Sequence, residues 1–152
     1  MNKTIKHGQR GFGLIESLVA LVVVSVGMIG IAALYGQGLG AGRTALYRTQ
    51  AVNLAADMAD RIRVNRRGSA SYGGAAAASG CDPGGGIDCT PAQMAAHDLF
   101  VWQGQVAAQL PAGVGVVQFA GTTPPTYTIL ITWQEVGLGP ITHQIAVRVP
   151  NL

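Results

Sequence analysis

Glu16 is the residue that asks most of its surroundings. It is a carboxylate set inside the block FGLIESLVALVVVSVGMIGIAALY, residues 12–35. On insertion scales an ionised carboxylate at mid-bilayer is unfavourable by roughly 2.5–3.5 kcal/mol, so it needs a partner. A cation could serve, or the positive end of its own helix. Other groupings offer less. Cys81, Cys89 and His97 give too few ligands for a closed structural zinc site. His97 and Asp98 could do acid–base work, but side by side on a capped helix they read as a polar surface pair. Asp57 and Asp60 share a face with arginines, the pattern of a solvated helix surface. Trp102 and Trp133 read as core. There is no nucleophile elbow, phosphate loop or metal motif. The chain therefore reads as a non-enzyme, with no catalytic residue, metal or cofactor.

The element that must carry Glu16 is an apolar helix. Twenty-four residues would rise about 36 Å, enough to cross a hydrocarbon core of about 30 Å. Lys3, Lys6 and Arg10 precede it with no acid among them, and beyond residue 11 seven arginines balance seven acids. The basic excess is thus a topology signal that keeps the N-terminus cytoplasmic. Only residues 61–67 could give the folded part a basic face, so no nucleic-acid partner is expected. Charged residues are only 11 % of the chain, against about a quarter in soluble domains. A cleaved secretory signal fits poorly, because its apolar core is usually about 7–15 residues and this run is longer and carries an acid.

Helical spacing continues past the membrane edge. Tyr47, Ala51, Leu54, Ala55, Met58, Ala59 and Ile62 form an apolar stripe. Asp57–Arg61 and Asp60–Arg63 have the favourable acid-first order. The spacing predicts one helix over 12–66, with Gly68 as its stop. Gly36, Gly38, Gly40 and Gly42 interrupt it, and both a linker and a bendable continuous helix fit them. Residues 68–90 are rich in Gly, Ala and Ser and read as a surface loop. Thr90 and Gln93 form a capping box with Pro91 at the first helical position. Ala95, Leu99, Trp102 and Val106 then line a second helix. After Pro111 the period falls to two: strands are predicted over 114–119, 126–133 and 141–149, with turns at 121–125 and 137–140.

The run G-F-G-L-I-E, residues 11–16, after a basic leader resembles the class III signal of type IV prepilins and type II secretion pseudopilins. That family's usual continuation is F-T-L-I-E, and Gly13 stands here in place of threonine. The resemblance implies that a prepilin peptidase cuts between Gly11 and Phe12 and N-methylates Phe12. It also implies that Glu16 pairs with the Phe12 amine of a neighbouring subunit. Residues 51–66, AVNLAADMADRIRVNR, are similar to the minor pilins called PilV, or type IV pilus modification proteins. A cysteine pair, a tryptophan-bearing helix and the T-W-x-E of Thr132, Trp133 and Glu135 fit that group too.

The expected fold is α+β: a long protruding N-terminal helix and a small head with a second helix and a three- or four-stranded antiparallel sheet. The expected divisions are a leader at 1–11, removed, a helix at 12–66 whose 12–35 part spans the membrane before assembly, and a periplasmic head at 67–152 packed on the helix's second half. The resemblance implies a structural subunit that helps initiate pilus assembly, with a place at the tip and a role in adhesion. It starts in the bacterial inner membrane and ends in the fibre. Partners would be other minor pilins, the major pilin, the prepilin peptidase, the inner-membrane assembly platform and, before assembly, lipid. A minor pseudopilin of a type II secretion system and a membrane-anchored periplasmic binding or enzymatic domain are the alternatives. In the oxidising periplasm, Cys81 and Cys89 are expected to form a disulfide across the Pro–Gly turn between them. Free thiols or a link to another subunit are the other outcomes.

Overall fold

The computed structural model describes residues 13–81, 87–135 and 137–150. The elements run α1 (Leu14–Val64), a 3-10 segment (Arg66–Gly73), α2 (Pro91–Gln109), β1 (Val114–Ala120), β2 (Thr126–Glu135) and β3 (Gly139–Arg148). The class is α+β. The chain divides into two compact units, residues 1–42 and 43–152.

In the first unit α1 is a bare apolar helix. Every described residue from Gly13 to Gly42 is exposed. Glycines 36, 38, 40 and 42 lie within the helix, so the segment is helical rather than an irregular linker.

The second unit holds the core. The later part of α1 buries Ala51, Leu54, Ala55, Met58, Ala59 and Ile62, the spacing predicted from the sequence. The partly buried Tyr47 packs against the same core. α2 begins at the predicted capping box: the Thr90 side chain accepts from the Gln93 amide, the Gln93 side chain accepts from the Thr90 amide, and Pro91 opens the helix. Its Ala95, Leu99, Trp102 and Val106 are buried. The indole of Trp102 donates to the Leu54 carbonyl at 2.8 Å, tying α2 to α1.

Three antiparallel strands in the order β1-β2-β3 complete the core. Trp133 faces Ile141, Ile131 faces His143 and Ile129 faces Ile145 across the central pair. Tyr127, Ile129, Ile131 and Trp133 are 0–2 % exposed on the central strand. Their β3 neighbours Ile141, His143 and Ile145 are only half-buried, because β3 lies at the sheet's edge. The predicted alternation holds in both strands. β2 runs two residues further than its apolar pattern suggested, because Gln134 and Glu135 pair with Pro140 and Gly139. Gly115 is required by packing: a Cβ there would lie 2.5 Å from the Trp102 ring.

Two expectations need correction. Residues 68–90 are not simply a surface loop. Their start forms the 3-10 segment, which carries Tyr72 at 0 % exposure into the core, edge-on to Tyr127 with ring centres 6.4 Å apart. Further on, the Ala77 amide donates to the Ala96 carbonyl of α2 at 3.0 Å. The second correction concerns His97 and Asp98, which are buried at 7 % and 9 % exposure rather than solvated.

Candidate assembly helix and the network that anchors it

The first unit presents what a lipid or a partner helix would meet. α1 is the one helix among the described residues long and apolar enough to cross a membrane. Leu14, Ile15, Leu21, Val23, Ile29 and Leu34 are each at least 66 % exposed. Glu16 sits in the first turn of α1 and is exposed. The Glu16 and Ser17 amides donate to the Gly13 carbonyl at 3.0 and 3.3 Å, winding the helix up to the carboxylate. The positive end of the helix dipole lies there and favours negative charge. Ser25 hides its hydroxyl by donating back to the carbonyls of Leu21 (2.8 Å) and Val22 (2.9 Å). A hydroxyl satisfied within its own helix is compatible with an apolar medium. Gly11 and Phe12 lie outside the described residues.

The second unit holds the end of α1 through charge. The Arg61 guanidinium donates to Asp57 at 2.9 Å and to Asp98 of α2 at 3.1 Å. The Tyr72 hydroxyl lies 2.7 Å from the other Asp98 oxygen and 3.2 Å from the Arg61 carbonyl. Asp98 thus joins α1, the 3-10 segment and α2 at one carboxylate. Burial pulls the Arg61 pKa down, but its bonds to Asp57 and Asp98 outweigh this and leave it raised. Burial first, and then the bond to Asp98, push the Tyr72 phenol well above its ordinary range. Asp60 and Arg63, also paired as the sequence predicted, remain exposed.

This network was only half legible. The Asp57–Arg61 spacing was visible, but the reach of Arg61 to α2 was not. Asp98 did carry a signal, since Ala95, Asp98 and Trp102 are spaced three and four apart and share one helix face. Tyr72 had none, being a lone aromatic in a Gly/Ala-rich stretch.

Cys81 and Cys89 are joined by a disulfide across a sequence separation of 8, and Cys81 is buried. The residues between them at 82–86 lie outside the described set. No group of His, Cys, Asp and Glu that could hold a metal occurs among the described residues. The exposed helix, its first-turn acid and the tied-down later part suit lateral packing more than they suit catalysis.

Comparison with known proteins agrees with this arrangement. A model of the prokaryotic N-terminal methylation motif matches residues 6–32, and the family described as Type IV pilin Tt1218 matches residues 33–100. No curated protein and no solved structure matches the chain.

Proposed function

The chain belongs to the type IV pilin-like family, and from that premise we propose that it is a minor pilin of the PilV kind that helps initiate pilus assembly. The family is one of structural subunits, not enzymes, and the methylation motif implies processing by a prepilin peptidase and assembly into pilus-like fibres. The observation that carries the reading is the exposed apolar helix over residues 14–35, most of it inside the match to the methylation motif, with Glu16 in its first turn. Such a surface must be covered by lipid before assembly and by other helices after it.

In this reading the leader 1–11 is removed between Gly11 and Phe12, and Phe12 is N-methylated. Residues 12–35 cross the inner membrane with the head, residues 67–152, in the periplasm. The Glu16 carboxylate pairs with the Phe12 amine of a neighbouring subunit. Two opposite charges in an apolar setting are mutually dependent, since either left alone is strongly disfavoured. The subunit works beside other minor pilins and the major pilin, on the assembly platform, with a place at the tip and a part in adhesion. The experiment is a deletion strain combined with N-terminal sequencing of the mature protein. A start at methyl-Phe12 with loss of surface fibres supports the proposal. Retained fibres with loss of enzyme secretion would instead assign it to a type II secretion system.

A further inference from the structure

The T-W-x-E run ends β2 in a buried acid. Glu135 is 6 % exposed. One carboxylate oxygen accepts from the Thr44 hydroxyl at 2.8 Å, and the other from the Trp133 indole at 3.0 Å. No ion pair among the described residues includes it. It is a buried carboxylate held by neutral donors alone, which is poor compensation for leaving water.

Its place along the chain gives the acid a use. Thr44 is the first described residue of α1 that is partly buried. The helix face that follows is half alanine: Ala51, Ala55 and Ala59 among Leu54, Met58 and Ile62. Alanines leave shallow ridges that resist sliding weakly, so directional bonds must set the register. Trp102 supplies one at Leu54, and the Asp98 network supplies another near the helix end. Glu135 supplies the third, at the start. Just before it, a Cβ at Gly36, Gly38, Gly40 or Gly42 would meet nothing within 4 Å. Contacts among the described residues therefore do not demand glycine there, while each glycine lowers helix stability by about 1 kcal/mol. Opening of the helix begins most readily in that segment.

We propose that Glu135 is a positioning residue that fixes where the sheet grips α1. It holds the helix from Thr44 onward and stops fraying that starts at 36–42 from spreading into residues 44–50. The inference rests on the described contacts and is independent of the assembly role. The test is amide hydrogen exchange on the full chain in detergent micelles, comparing Thr44→Val, Glu135→Gln and Glu135→Leu with the parent. In Glu135→Leu and Thr44→Val, amides of 44–50 exchange at least about tenfold faster, while those of 54–62 and α2 are unchanged. Glu135→Gln, which keeps an acceptor for one of the two donors, falls between. Unchanged exchange at 44–50 overturns the proposal. So does acceleration of equal size throughout α2, which would make Glu135 an ordinary core group. Should Glu135→Leu not fold, Thr44→Val decides by the same two criteria.

Discussion

Glu16, Asp98 and Glu135 are three carboxylates beside apolar surface, and each is met differently. Asp98 has a guanidinium and a phenol, Glu135 has neutral donors, and Glu16 lies exposed in the first turn of α1. If Glu16 awaits a partner subunit, Glu16→Val should insert and be cleaved normally, because the helix becomes more apolar, yet enter fibres poorly. Immunoblots of sheared fibres against whole cells check this; normal incorporation removes the charge-pair role. Tyr72 yields a prediction about pH. Its folded pKa is raised, so above the ordinary tyrosine value of about 10 the unfolded chain loses a proton that the folded chain keeps. The unfolded state then binds fewer protons, and stability falls as pH rises. Melting of the head followed from pH 8 to 11 should show this decline, and Tyr72→Phe should be less stable at pH 8 but flatter above 10. An equal slope in both proteins places the alkaline loss elsewhere.

Among the elements, those with local signals were legible. The capping box fixed the start of α2 because all its partners lie within four residues of one another, and period-two runs marked β2 and β3 because one face of the sheet is buried. The 3-10 segment escaped because Tyr72 is held by Asp98, Tyr127 and the Arg61 carbonyl, all distant in sequence. The disulfide belongs to this scale too. Closing a loop of about nine residues removes unfolded-state freedom worth roughly 2–3 kcal/mol in the chain-entropy model. Replacing Cys81 and Cys89 with serine should therefore lower the melting temperature of the head by several degrees without altering leader cleavage. Calorimetry reads the first effect and the precursor-to-mature ratio the second. An unchanged melting temperature would mean that the Ala77–Ala96 bond and the buried Tyr72 already hold this stretch.

For the whole molecule, the proposed route from membrane to fibre begins with processing. Gly11→Arg should leave full-length precursor in the membrane, since a bulky cation cannot sit where the peptidase must cut. A mature product of ordinary size from this variant rules out the Gly11–Phe12 site. The sequence by itself determined the apolar run and the acid within it, the basic residues that precede it, the helical stripe of residues 47–62 and the strand alternation. These are properties of composition and of periods set by backbone geometry, 3.6 residues for a helix and two for a strand. The tertiary structure alone decided which donors meet the buried acids. Asp98 shares a helix face with Ala95 and Trp102, and Glu135 ends the strand that carries Trp133, but their donors Arg61, Tyr72 and Thr44 come from 26 to 91 residues away, with Trp133 alone supplied by the same strand. The worth of a carboxylate depends on its local dielectric and its donors, and the fold, not the neighbouring sequence, brings most of these donors together.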